Sequence, residues 1–421
     1  MNNILNICKI ATCVLLPFSF LINIDLFVIL AILYILMYAA ENGDIDGKIF
    51  IIYMLSFQFS AIKIFNVHFY DIFLVALVLL CIVYKNGKII VQNGIELLTF
   101  LFLIIIRLVL KPTDLALTDT ASYITCIITF IFILNLNKNS LYIKEKLPEL
   151  SISSLYFTLI VFFLYSRGMI KNVTNGLITS DIFMYTDELR MNGFFTDPNK
   201  YLVYEMALIC LLILYRESNF IILLTVIATV LSMSRSSLIC IIVYILLILY
   251  RYLNNRFNSK SKAIFALLLI IFGCGIIYFI STTNFNNAVF KGMGRLLGRT
   301  RSVEYTATIM DDNRLKIWHL AIGLIKNKPF IGYGLGAISD KNILPFGTHN
   351  TFLGLMVKGG IFLLFAFILF FRKLFVHPNA EKIAFIILPL FFLDLDAYRV
   401  LYLMYAVYME IPDGLELYSK N

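Results

Sequence analysis

Residues 201–251 read YLVYEMALICLLILYRESNFIILLTVIATVLSMSRSSLICIIVYILLILYR. Three apolar runs, over 200–215, 220–233 and 237–252, follow one another with only Arg216-Glu217-Ser218-Asn219 and Ser234-Arg235-Ser236 between them. A membrane-spanning helix needs about 20 predominantly apolar residues, so runs of this kind in series, parted by short polar turns, read as a stack of spanning helices. Working outward, similar runs occupy 4–22, 24–40, 49–65, 67–84, 95–110, 117–136, 150–166, 263–281 and 348–371. A last stretch, 383–410, is about 40 Å long as a helix. As one span it would hold Asp394, Asp396 and Arg399 in hydrocarbon at a few kcal/mol each. A short hairpin with those charges at its tip is the expected form. The fold class is therefore all-α: a single integral membrane domain over 1–421 with about 12–14 transmembrane helices.

Composition agrees. The 421 residues include 35 Lys or Arg and 26 Asp or Glu, and 60% of the chain is hydrophobic. Charged residues make up 14%, against about 25% in a soluble domain. The seven cysteines all lie inside apolar runs without ligand-like spacing, so neither a disulfide framework nor a metal site is expected, and no cofactor is implied. The N-terminus has only Lys9 as a charged n-region and no small-residue cleavage site, and further apolar segments follow at once, so the first run is expected to remain as an anchor. The net charge of +9 has no polar domain on which to form a nucleic-acid groove, and the expected partner is anionic lipid.

Lys and Arg collect in cytoplasmic loops. Lys85 and Lys88, then Lys138, Lys144 and Lys146, then Arg216, then Arg251, Arg256, Lys260 and Lys262, then Arg372, Lys373 and Lys382 recur in every second connection. Both termini are thereby expected inside. The long connections 167–199 and 282–347 fall outside. Long loops are uncommon unless functional. The larger carries nine Lys or Arg against Glu304, Asp311, Asp312 and Asp340, a surplus that asks for an anionic partner. Within it, 313–325 reads as a helix lying in the membrane interface, with Leu315, Trp318, Ile322 and Ile325 on its apolar face.

Three external constellations are chemical candidates. The first is Arg190-Met191-Asn192-Gly193-Phe194-Phe195-Thr196-Asp197-Pro198-Asn199. Asp197 before Pro198 is an ordinary helix start, yet Arg190 and Asn192 need another reason, and an Arg near a helix N-terminus makes a phosphate fork. The second is Ser234-Arg235-Ser236-Ser237. Its arginine is either snorkelling to headgroups or sharing an anion with the flanking hydroxyls. The third runs from Pro329-Phe330-Ile331-Gly332-Tyr333-Gly334-Leu335-Gly336 to Thr348-His349-Asn350-Thr351. No strand precedes the glycines, so they let backbone approach a ligand or turn sharply rather than form a dinucleotide fingerprint. His349, at a helix N-terminus, is expected to keep a neutral, proton-accepting ring. Aromatic residues Phe194, Phe195, Trp318 and Tyr333 are either stacking surfaces for sugar or prenyl groups, or plain packing. Asp44 and Asp46 between glycines are turn residues. Asp394 and Asp396 are a reserve carboxylate pair, and Glu96, Arg107 and Glu205 are intramembrane ionisable groups without an assigned partner.

In this order and spacing, Arg190-x-Asn192-Gly193-Phe194-Phe195-x-Asp197-Pro198-Asn199, Ser234-Arg235, Arg314 with Trp318, the glycine run, and His349-Asn350-Thr351-Phe352-Leu353 with Gly359-Gly360-Ile361 resemble the bacterial O-antigen polymerase and O-antigen ligase family. The resemblance covers about residues 185–365. It implies a fold similar to that of lipid-dependent, metal-independent glycosyltransferases of the GT-C type, placed in the bacterial inner membrane with the active face external. It implies a glycan donor on undecaprenyl pyrophosphate. In the polymerase branch another lipid-linked repeat unit is the acceptor, giving O-antigen or capsular polysaccharide. In the ligase branch the acceptor is the lipid A core. A chain-length regulator protein would be a further partner. The expected catalytic residues are Arg190 and Arg235, which stabilise the departing pyrophosphate, and His349, which accepts or positions the proton of the attacking hydroxyl. Arg314, Asn192, Asp197, Asn199, Ser234, Trp318, Gly334 and Asn350 are the expected substrate contacts. A flippase for the same lipid-linked oligosaccharides is the alternative of a different class. It would carry its cations in a central cavity and have short loops, whereas here they gather in long external ones.

Overall fold

Seven of the apolar runs begin as helices at a residue that caps them. In the computed structural model, Asn23, Asp44, Thr113, Ser140, Asp197, Ser218 and Asn350 each turn a side-chain oxygen onto a backbone N–H of the first helical turn. The structure describes residues 2–170, 174–180, 191–232, 234–256, 314–345, 347–376 and 379–410. In order these form α1 (Asn2–Ile22), α2 (Ile24–Ala40), α3 (Ile45–Phe57), β1 (Ile62–Ile64), β2 (Val67–His68), α4 (Phe69–Tyr84), α5 (Gly94–Leu110), α6 (Asp114–Leu134), α7 (Leu141–Ser166), β3 (Thr174–Asn175) and β4 (Ile178–Ser180). They continue as α8 (Pro198–Leu214), α9 (Asn219–Leu231), α10 (Arg235–Arg256), α11 (Arg314–Asn327), α12 (Thr351–Phe370), α13 (Arg372–Val376), a π-helical turn Lys382–Ile387, a 3-10 turn Leu388–Phe391 and α14 (Arg399–Glu410). Four of the described helices, Ile4–Ile22, Asp114–Leu134, Leu141–Ser166 and Thr351–Phe370, are long and apolar enough to cross a membrane, and shorter apolar helices accompany them. The chain is a mostly helical, polytopic membrane protein. The expected span over 263–281 lies outside the described residues.

Side-chain contacts sort the connections into two ends, called inner and outer here after the charge pattern. At the inner end the Lys9 ammonium pairs with Glu41 and with Glu149, 2.6 Å away, while Lys146 lies 2.7 Å from both Glu41 and Glu149. Lys85 meets Asp46 at 3.1 Å, and Asn93 donates to the Tyr405 hydroxyl at 3.0 Å. Asp44 caps α3 through Gly47, so the paired aspartates of that turn are structural.

The outer end holds the departure from an all-helical fold. The expected span over 49–65 stops at Phe57, and residues 62–68 form a hairpin turning at Phe65 and Asn66, both at positive φ. β1 also pairs with β4, giving a four-stranded antiparallel sheet in the order β2-β1-β4-β3. The apolar residues Phe59, Ala61, Ile62, Ile64 and Phe65 let this stretch read as the end of a span. Its alternation Ile62, Ile64 with β-branched Val67 suits a strand, and Asn66 suits left-handed backbone.

Two further expectations are sharpened. The C-terminal stretch breaks as expected, but its charges are buried and paired rather than presented at a free tip: Asp396 with Lys358, and Arg399 with Asp71. α11 buries Ile317 and Ala321, with Leu324 and Ile325 alongside, against Ala337, Leu344 and Val357. Its inward face is therefore offset from the expected one, and Ile322 is exposed.

Candidate active site

Two corners of the outer end gather the sequence motifs, and one short loop joins them. At the first corner the turn 191–197 is built by its own side chains. Asn192 Nδ2 donates to the Phe195 carbonyl at 2.6 Å, Gly193 takes φ +53°, and Asp197 accepts the Asn199 N–H at 2.6 Å to cap α8. Phe194 packs among Phe20, Phe27, Phe59 and Phe157, and Phe195 against Tyr201 and Tyr204. Both rings are buried, so they pack the core and offer no face to a sugar. Two bonds tie this turn to the next motif. The Met191 N–H donates to Leu231 at the end of α9 (3.2 Å), and the Ser234 hydroxyl donates to Asn199 Oδ1 at 3.4 Å. The residue after Arg190 and the residue before Arg235 therefore sit at one corner. Arg235 opens α10 and Arg314 opens α11. Arg190 and the side chains of Arg235 and Arg314 lie outside the described residues.

The second corner is the turn before α12. His349 has φ +48°, a left-handed conformation that is uncommon outside glycine. Asp394 holds it there. Its Oδ2 accepts the His349 N–H at 2.8 Å, and its Oδ1 accepts the Asn350 N–H at 3.2 Å and the Thr348 hydroxyl. Gly347 and Gly354 make the room, since a Cβ on either would fall 2.9 Å and 3.3 Å from the Asp394 carboxylate. Asn350 then caps α12 through the Leu353 N–H and donates its amide to the Phe391 carbonyl. The Trp318 indole N–H donates to the Thr348 carbonyl at 2.8 Å, fastening α11 to the same turn. Asp394, held in reserve on the sequence, is thus a positioning carboxylate for His349.

The glycine run turns sharply against protein rather than opening to a ligand. Gly332, Gly334 and Gly336 all have positive φ, and Cβ atoms there would collide with the α12 backbone, with Lys111 and with the start of α6. Tyr333 N–H and Gly334 N–H donate to the carbonyls of Val357 and Lys358 (2.7 and 2.9 Å) where α12 kinks at Gly360, φ +68°. The kink frees those carbonyls and the loop satisfies them, as buried backbone requires. Lys358, unremarked on the sequence, is buried between Asp396 (2.9 Å) and Asp119 (3.3 Å), and Asp119 also accepts the Gly336 N–H at 3.0 Å.

Residues 392–398 join the corners. Asp394 serves the His349 turn, and four residues on the Tyr398 hydroxyl donates to the Lys200 carbonyl in the first turn of α8 (3.1 Å). Beside it Arg399 pairs with Asp71, Nη2 to Oδ2 at 2.9 Å, with its guanidinium over the Tyr70 ring. His68 stacks on that ring, and its Nδ1 lies 2.9 Å from the Ser60 carbonyl. Burial and the neighbouring Lys200 charge push the His68 imidazole down to about 4. Of the other intramembrane groups, Glu96 pairs with Arg372 at 3.1 Å, and Glu205 is buried and accepts the Ser154 hydroxyl. Among the described residues no three His, Cys, Asp or Glu side chains gather as metal ligands.

Residues 220–368 match the family model described as O-antigen ligase. No curated protein matches the chain. The matched segment runs from α9 through α12 and contains Ser234, Arg235, Arg314, Trp318, the glycine run, His349 and Asn350. That match supports assigning the chain to the O-antigen polymerase and ligase family, whose members are glycosyltransferase-like enzymes acting on lipid-linked glycans.

Proposed function

We propose that the chain is the polymerase of its family. It joins oligosaccharide repeat units carried on undecaprenyl pyrophosphate, at the outer face of the bacterial inner membrane, and releases the lipid pyrophosphate. The observation that carries this reading is the pairing of the two corners through residues 392–398. One corner brings the neighbours of two arginines together, and the other holds a histidine in a fixed, unusual backbone conformation.

In this reading Arg190 and Arg235 take the pyrophosphate of the donor. Breaking the glycosyl bond concentrates negative charge on the leaving group, and fixed guanidinium forks in a partly dry site stabilise it without a metal. His349 accepts the proton of the attacking sugar hydroxyl. Asn199, Ser234, Arg314, Trp318 and Asn350 line or support the groove between them. Asp197, Asn192 and Gly334 act through the backbone they shape, because their contacts are to protein.

The ligase reading differs only in the acceptor, and the matched family description favours keeping it. Purified protein given a synthetic lipid pyrophosphate repeat unit separates the readings. A ladder of products means polymerase, reaction only when lipid A core is added means ligase, and no transfer to either acceptor overturns both.

A further inference from the structure

Buried cations of the described part have partners on this molecule, with one exception. Arg107, 8% exposed near the outer end of α5, has no ion pair or hydrogen bond from its guanidinium, and its Nε is buried without a partner among the described residues. Lys9, Lys358 and Arg399, equally buried, each face at least one carboxylate.

The surroundings of Arg107 follow from its helix face. The buried stripe of α5 is Leu97, Phe100, Ile104 and Arg107, and Phe100 packs against Tyr123 of α6 and Phe367 and Phe370 of α12. Arg107 therefore lies on the face turned to α6 and α12, at the outer end of the groove between them. One turn further on, Lys111 lies under Gly334 and donates to the Tyr333 carbonyl at 2.9 Å, so the glycine loop roofs this end. The carboxylate that α6 offers nearby, Asp119, is already held by Lys358 and Gly336. The flank is apolar and open: Val109, Leu110, Phe330 and Phe362 are exposed, the last two with ring centroids 6.1 Å apart.

An arginine that merely snorkels lays its stem on apolar surface and lifts its head into water. Here the Nε is buried on the packed face, where an unmatched cation is costly unless an anion arrives. The adjoining surface suits an alkyl or prenyl chain.

We propose that Arg107 binds the phosphate of a polyprenyl phosphate ligand that enters the α5–α6–α12 groove sideways from the bilayer, beneath the glycine loop. This rests on the reading that the outer end handles lipid-linked glycans, and it adds a phosphate position to the one assigned to Arg190 and Arg235.

The test measures equilibrium binding of a fluorescent short-chain polyprenyl phosphate to purified, detergent-solubilised full-length protein. Arg107→Gln is expected to weaken binding by about tenfold to a hundredfold, and Arg107→Lys to keep part of it as a point charge. With the unmatched cation removed, Arg107→Gln melts no lower than the wild type in the absence of probe. Two results overturn the proposal: unchanged binding by a well-folded Arg107→Gln protein, or displacement of the probe from the wild type by phosphatidylglycerol at equal mole fraction, which would make Arg107 a headgroup anchor. His349→Ala keeps the binding site, so polymer made at the wild-type rate by that variant, with intact probe binding, counts against the proposed reaction and leaves the Arg107 site standing.

Discussion

The two ends of the bundle dispose of buried charge in opposite ways. At the inner end Lys9, Glu41, Lys146 and Glu149 close on one another across α1, the end of α2 and α7. Each carboxylate there meets two ammonium groups. At the outer end the carboxylates Asp394, Asp119 and Asp396 serve backbone N–H groups and Lys358, while Arg107 faces none among the described residues. A closed network stiffens helices. An outer end that uses its own anions to shape turns, and leaves a cation over, is arranged for an anion from elsewhere.

The sharpest way to break this comparison is to remove the charges assigned to chemistry. Arg235→Ala or His349→Ala is expected to cut polymer formation by about 10²–10⁴-fold with normal membrane insertion, measured as product ladders from a lipid pyrophosphate substrate. A double variant that still makes long chains sinks the assignment. At the inner end Glu41→Gln takes one of two carboxylates from buried Lys9 and half-buried Lys146, which both keep Glu149, and should cost about 1–3 kcal/mol of stability. It should leave the rate per folded molecule unchanged, read by thermal melting beside specific activity. Asp394→Ala strands the N–H groups of His349 and Asn350, worth about 1–3 kcal/mol, and frees the His349 turn. Unlike the inner variant it is expected to lower turnover in the protein that remains folded, and equal specific activity would show that the cradle does not position the histidine.

The smallest effect concerns His68. Its folded-state value lies below that of an unfolded histidine, so the unfolded chain binds the proton first. Stability from this group is present above about pH 6.5 and declines as pH falls toward about 4. His68→Asn should flatten the fall in melting temperature between neutral and mildly acid pH. It should also leave the acid limb of the activity profile in place if that limb belongs to His349.

Much of this architecture was legible, because a spanning helix announces itself by length and hydropathy and the caps stand at the starts. The motifs of both corners were visible as polar residues in odd places. Hidden were the relations between distant segments. Lys358 drew no notice because its partners Asp119 and Asp396 lie far from it in sequence, and Arg399 finds Asp71 across most of the chain. Gly359-Gly360 stood out as a pair, yet the kink at Gly360 has meaning only once the glycine loop is seen filling the carbonyls it opens. The hairpin after α3 was masked by apolar residues that suit strand and helix equally.

The shortness of α9 has a consequence for where the reaction sits. Its 13 residues span about 20 Å, against a hydrocarbon layer of about 30 Å. A helix so short cannot reach both surfaces of a flat layer, so either the membrane thins around it or its outer turn, with Ser234, lies sunk below the headgroups. In both cases Ser234 stands closer to the hydrocarbon than a full-length span would leave it, and the membrane's own deformation becomes part of the setting of that turn.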